Sequence, residues 1–290
     1  MKNNCLAAIA AAALSLGAGA ANALNIVFDY SLDTQNFFTA DKRSTLDQVA
    51  SIFENNITTH LAALTNVNVA TSGMGYAGSA IPTTHLNIAA DTLVFYVGAV
   101  DLSGGTVGLA WLGTAYPGRS ANGHGFNSGW GGEILFDTRQ DLSDLEYNGT
   151  QPYAGQTRAR DWYVDPDIRT AEAMSSTHLP LDPAHPANGY WNLSQIDFAS
   201  VAMHEMGHAF GLDHSGTEAD AMYPSISDSR KFFTAGDWTA MRAEGWTVTS
   251  LTPNLATVVT VPSPVPEPTS YALMLAGLVA FGGLQRRHKR

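Results

Sequence analysis

The sequence predicts an α+β domain. Short β-branched and apolar runs recur along its first half, one long helical stripe interrupts them, and two capped helical segments close the second half. Leu24 to Phe28 is the first such run and reads as a strand. Ser44 to Leu64 reads as a helix, because Ser44 and Asp47 form a capping-box pattern and Leu46, Val49, Ala50, Phe53, Ile57, Leu61 and Leu64 share one stripe. His60 lies beside that stripe and reads as a partly exposed helical residue. Val67–Ala70 and Thr92–Val100 read as further strands, residues 98–132 as a glycine-rich loop, and Glu133–Asp137 as a strand. Residues 150–192 show little regular pattern. There Trp162, Tyr163 and Trp191, with Pro166, Pro180, Pro183 and Pro186, suggest a loop ordered by aromatic packing over the core. Asp197 is a good N-cap for a helix ending at Phe210, and Thr234 with Asp237 three residues on starts the last helix. Val201, Ala202 and Met206 on the first of these helices, and Trp238, Met241 and Trp246 around the second, are the expected core contacts.

The chemistry is concentrated in residues 204–214, His-Glu-Met-Gly-His-Ala-Phe-Gly-Leu-Asp-His. His204 and His208 are one helical turn apart on one face, so two neutral imidazoles can share a metal ion. Gly211 permits the backbone turn that brings His214 back to the same ion. Three imidazoles leave a fourth tetrahedral position open, as catalytic rather than structural zinc sites do. Glu205 stands beside the first ligand, where a carboxylate can act as general base.

Downstream, Asp220-Ala221-Met222-Tyr223-Pro224 follows Ser215, and Ile196–Ala202 leads into the helix. Together with His-Glu-x-x-His-x-x-Gly-x-x-His, these segments resemble the metzincin zinc metalloproteases, and the matrixin branch in particular. The resemblance is strong over residues 190–246 and weak over 25–189. It implies a zincin catalytic domain with a twisted mixed β-sheet, helices above it, an active-site helix at the cleft, and a small C-terminal subdomain carrying a methionine turn and the final helix. It also implies zinc on His204, His208 and His214, Met222 as an apolar floor beneath them, and Tyr223 and Pro224 shaping a pocket for the substrate residue after the cut bond. Gly131–Asp137 resembles the matrixin strand ending in Phe-Asp, in a region where that family has an edge strand over the cleft, a structural zinc and calcium. The family's upstream His-x-Asp pair and its partner histidines are missing, and His85, His124, His178 and His185 lack paired spacing, so one zinc is expected. Asp101, Asp137, Asp141 and Asp144 are candidate calcium ligands by their oxygen chemistry, although solvated loop acids are the commoner reading.

Both ends carry targeting patterns. Met1–Ala23 has Lys2, an apolar stretch and Ala21-Asn22-Ala23, the pattern of a cleaved signal peptide. The single cysteine, Cys5, lies within it, so a processed chain has no disulfide and no cysteine to hold a zinc latent. Residues 24–250 are then the catalytic domain, and 251–264 a linker rich in Thr, Val and Pro. Residues 265–290 combine Val265-Pro266-Glu267-Pro268, an apolar stretch from Tyr271 to Leu284 and a basic end at Arg286–Arg290. This tail resembles the PEP-CTERM sorting signal of Gram-negative bacteria. It implies transient residence in the inner membrane, recognition by an exosortase-type enzyme and release to the cell surface or matrix. The apolar stretch is shorter than the ~20 residues that span a bilayer comfortably.

Among 290 residues the net charge is −11, which argues against a nucleic-acid partner. The expected function is a secreted zinc endopeptidase acting on protein or peptide substrates, with Glu205 as base. The alternatives are a non-catalytic surface or matrix protein stabilised by zinc, and a hydrolase of non-peptide amides.

Overall fold

A computed structural model describes residues 24–68, 85–102, 106–113, 130–138, 140–141, 159–160, 162–169, 176–180, 190–225, 229–252 and 255–258. The central sheet has four strands: β1 (Asn25–Leu32), β4 (Thr92–Val100), β6 (Gly131–Asp137) and β5 (Gly108–Leu112), in that spatial order. β1, β4 and β6 are parallel, with Asn25 opposite Thr92 and Val94 opposite Gly131, while β5 runs antiparallel to β6 from Gly108↔Phe136 to Leu112↔Gly132. The sheet is therefore mixed, and the architecture is α+β as the sequence predicts. Interior parallel strands are covered on both faces, which explains the nearly unbroken apolar runs of β4 and the fully buried β6. Gly131 opens β6 at φ +131°, where a Cβ would lie 1.8 Å from the Val94 carbonyl oxygen, so only glycine lets the two strands meet in this register.

The first helix departs from its expected bounds. α1 spans Ala40–Glu54, and its N-cap is Thr39, whose side chain accepts from the Lys42 N–H. Ser44 and Asp47 lie about one and two turns inside. The hydrophobic stripe does continue through Ile57, Leu61 and Leu64, all buried, but not as helix. Beyond Asn55 a tertiary partner takes over the backbone. Asn56 donates to the Ser250 carbonyl (2.9 Å) and accepts from Ser250 N–H (2.9 Å) and Thr249 Oγ1 (2.8 Å), and Ile57 bridges Val248. The chain then enters β2 (Leu64–Val67), paired with β3 (Leu86–Ile88), a few residues before the expected Val67–Ala70 strand.

Strands also occur where loops were expected. β5 lies inside the glycine-rich stretch and forms an edge of the sheet beside the Gly131–Asp137 strand. Residues 150–192 contribute β8 (Ala159–Arg160), β9 (Trp162–Tyr163), β10 (Ser176–Pro180) and the start of β11 (Tyr190–Ser194). β8 pairs with β7 (Gln140–Asp141), β9 with β12 (Ile196–Asp197), and β10 with β11. Such short strands are specified by their partners more than by their own alternation, which is why periodicity misses them. At the other end, Leu251, Leu255 and Val258 still pack on the core. Among the described residues no helix is long and apolar enough to cross a membrane. The expected signal peptide and the 265–290 tail lie outside the described residues.

The second helix, α2 (Phe198–Ala209), keeps its expected caps, Asp197 and Phe210, and α3 (Ala235–Ala243) has the expected capping box of Thr234 and Asp237. Aromatic clusters grip α2 at both ends. Phe198 sits 4.8 Å from Phe136 and 5.5 Å from Trp162, centroid to centroid. Phe210 stacks on Phe53 of α1 (5.0 Å, 10°) and meets Trp246 edge-on (5.0 Å), whose indole N–H donates to the Phe210 carbonyl. Phe53 also touches Phe233 and Trp238, so one wholly buried ring joins α1, α2 and α3. Phe53→Ala is expected to cost about 3–5 kcal/mol, read from the urea midpoint at unchanged m-value.

Candidate metal centre

Helix α2 sets the first two imidazoles on one face, and hydrogen bonds fix their tautomers. His204 Nδ1 lies 2.7 Å from the Ala221 carbonyl oxygen and His208 Nδ1 lies 2.6 Å from that of Leu212. A carbonyl only accepts, so each Nδ1 carries the proton and each Nε2 presents a bare lone pair. Those two Nε2 atoms are 3.0 Å apart. Gly211, at φ +105°, turns the chain out of the helix and places the Leu212 carbonyl against His208. The same turn delivers His214, whose ring centroid is 5.3 Å from that of His204 and 4.7 Å from that of His208. One ligand atom from each of the three histidines lies within 4.8 Å of the others, the one such group of three or more among the described residues. Bare lone pairs facing at 3.0 Å repel each other unless a cation lies between them, so the donor set fits a zinc ion.

The turn that orients His204 is itself held from α3. Asp237 accepts from the N–H groups of Ala221 (3.0 Å), Met222 (3.2 Å) and Thr234 (2.8 Å). Asp220 accepts from Ser215 Oγ at 2.6 Å and from the Thr234 hydroxyl. Met222 is buried against α2, and a Cβ on Gly207 would lie 2.3 Å from its sulfur. The cap pattern of the sequence marks Asp237 only as the start of a helix. Its second role, bracing the loop that positions His204, requires the fold.

Glu205 is buried against β5, where a Cβ on Gly108 would lie 2.5 Å from its Oε1. Its Oε2 has no hydrogen-bond partner among the described residues. Burial pushes its pKa up to about 8. Burial also lowers that of His204 to about 4, against the opposing Ala221 hydrogen bond and with smaller contributions from His208, His214 and Lys231. His208 shifts the same way for the same main reason.

The three histidines, Glu205, Tyr223 and Pro224 line one cleft of about 820 Å³, bounded across from α2 by β5. Its rear is braced by Arg230, whose fully buried guanidinium donates to Asp197 (2.9 and 3.0 Å) and Asp165 (3.1 Å). This ion triad ties the N-cap of α2 to two loops, and nothing in the sequence pattern signals it. Of the candidate calcium ligands, Asp137 is buried and accepts from Leu102 N–H (3.0 Å), and Asp101 is exposed. The Asp141 side chain and Asp144 lie outside the described residues. His60 is exposed beside Asp91, and His85 pairs with Asn66, both apart from the cleft. His124, His185 and the His178 side chain are outside the described residues.

Three convergent imidazoles on a helix and its following turn form a cluster that could hold one metal ion in this cleft. Residues 117–243 match the matrixin family, and residues 264–290 match the PEP-CTERM protein-sorting motif. The chain is 47% identical over 36 residues to Metalloendoproteinase 2-MMP of Arabidopsis thaliana, covering 12% of this chain and 10% of the relative. It is 32% identical over 73 residues to Metalloendoproteinase 1-MMP of the same plant, covering 25% of this chain and 15% of the relative. The chain thus spans only a small part of the length of these relatives. The matrixin match, over residues 117–243, is followed in the chain by the match to the sorting motif.

The depressed histidine pKa values predict a pH effect on the metal-free protein. A fold that keeps His204 neutral holds its full stability above the ordinary imidazole pKa and loses it as pH falls from there towards about 4. The chelated protein's Tm should be flat above pH 7 and decline between pH 6.5 and 4, and His204→Asn should flatten part of that decline.

Proposed function

We propose that this chain is a secreted zinc-dependent endopeptidase, with His204, His208 and His214 as the metal ligands and Glu205 as general base. The observation that carries this reading is the pairing of two bare Nε2 atoms at 3.0 Å with a buried carboxylate whose Oε2 has no protein partner in the same cleft. Zinc bound there supplies Lewis acidity, polarising a carbonyl and making water acidic enough to attack it near neutral pH.

The residues of the chain do the rest. Glu205 sits in a dry wall of the cleft, and its raised proton affinity suits it to take a proton from the attacking water and pass it to the departing amine. A metal ion held by the three histidines would lower that affinity and favour the ionised carboxylate. Met222 is the apolar floor under the imidazoles, and Asp237 holds it and the Ala221 carbonyl in place. β5 is the edge of the sheet and runs along the cleft, so an extended peptide can add as a further strand. That favours a polypeptide over a small amide. A site that only stabilises the fold has no use for an unliganded glutamate buried beside it.

The sorting motif adds the route. The tail holds the protein briefly in the inner membrane, an exosortase-type enzyme recognises it, and the domain reaches the cell surface or the extracellular matrix. No nucleic acid takes part. The folded domain needs one zinc, and calcium is not required by this reading.

Glu205→Gln should keep one zinc per chain and lose roughly 10²–10⁴-fold in peptide cleavage, because the ligands survive and the base does not. His208→Ala should lose both. Zinc stoichiometry by mass spectrometry and peptide turnover separate the two. A Glu205→Gln variant that cleaves like the parent refutes the assigned base.

A further inference from the structure

Beside Tyr223, Lys231 lines the cleft. Among the described residues Lys231 is the one lysine or arginine that lines it, and Asp197, Glu205, Asp213 and Glu244 are the lining acids. The neighbouring Arg230 is committed to Asp197 and Asp165 in the interior. Lys231 points the other way, yet it is held firmly. Its backbone N–H donates to Ser200 Oγ at 2.8 Å, and that hydroxyl donates to Asp197 Oδ2 at 2.6 Å, so the residue is fixed relative to the helix that carries the histidines. Its ammonium lies over the Tyr223 ring, 4.9 Å from the centroid, and donates to the Glu218 carbonyl at 2.7 Å.

An ammonium has three N–H donors and no acceptor. One is used on Glu218 and the ring face occupies one side. No further partner appears among the described residues. The charge is close enough to the histidines to be one of the groups that disfavour protonated His204. A cation placed in this way, half-buried against an aromatic face beside the metal centre, is not needed by the hydrolytic chemistry. It is suited to recognition of a carboxylate.

We propose that Lys231 is a specificity-determining residue that pairs with an acidic side chain, Glu or Asp, at one fixed position flanking the cut bond. The inference rests on the peptidase reading of the same cleft. Contact with an ammonium held on a ring is worth more than the same contact at open surface, because less water competes for it. A neutral side chain forgoes the contact, and a lysine or arginine there meets a like charge. The molecule as a whole is acidic, with a net charge of −11, so it does not draw acidic peptides from a distance. The preference is therefore local and confined to one substrate position.

The test begins with digestion of a diverse peptide library by the zinc-loaded protein, with and without chelator, read by mass spectrometry. Matched peptides that differ only as Glu, Gln or Lys at the enriched position are then timed with the parent, Lys231→Met and Lys231→Glu. The parent should favour Glu over Gln by about tenfold in kcat/KM. Lys231→Met should bring that ratio to about one, and Lys231→Glu should turn the preference towards Lys. Each ratio is taken within one protein, so a smaller folded fraction in a variant cancels. Chelator-sensitive cleavage without acidic enrichment at any flanking position overturns the role of Lys231 and leaves the peptidase reading standing. So does a Glu preference that survives in Lys231→Glu. Absence of any chelator-sensitive cleavage by the parent overturns the peptidase reading, and the role of Lys231 with it.

Discussion

Two imidazole nitrogens facing each other at 3.0 Å are the constraint around which this domain is arranged. Left without a cation, their lone pairs repel, and their burial makes protonation an expensive remedy. The protein holds them there all the same by committing the opposite ring nitrogens to two carbonyl oxygens, one just past the helix at Leu212 and one from the loop at Ala221. Each carbonyl is in turn fixed by something further out. Gly211 supplies the turn for Leu212, and Asp237 supplies the anchor for Ala221.

The rest of the core serves the helix that carries this pair. Aromatic rings close on Phe198 at its start and on Phe210 at its end, and the Arg230 triad locks its N-cap to Asp165. A buried cation between two carboxylates is weak evidence for stability, since desolvation offsets much of its attraction. Its geometric consequence is clearer. It fixes the segment that follows it, so that Arg230 faces the interior while Lys231 faces the cleft. A structural ion group and a recognition group thereby share two consecutive residues.

One strand of the cleft wall meets two requirements. Glu205 is pressed into an apolar wall against Gly108, where no side chain would fit beside it. Gly108 opens β5, and that same strand is an edge of the sheet. β5 therefore both buries the carboxylate and forms the sheet edge that runs along the cleft. Such an arrangement suits a long polymer substrate better than a small enclosed one.

Local chemistry made some features readable directly from the residues. Asp197 and Phe210 bound the second helix because a side-chain acceptor and a following glycine turn act within a few residues. The histidine spacing and the Thr234–Asp237 cap are legible for the same reason, as is the long β4 strand, whose burial on both faces leaves a continuous apolar run. Features set by distant partners were not readable. The first helix stops at Glu54 because Asn56 finds Ser250, far along the chain, and the stripe that suggests more helix is simply the buried face of an extended segment. The strand at the edge of the cleft hides among glycines because β6 specifies it. The bracing by Asp237, the Arg230 triad and the placement of Lys231 all depend on pairs that only the folded chain brings together. Short-range hydrogen bonding and periodicity are written in neighbouring residues, whereas charge pairing, edge position and ring orientation belong to contacts that no local stretch contains.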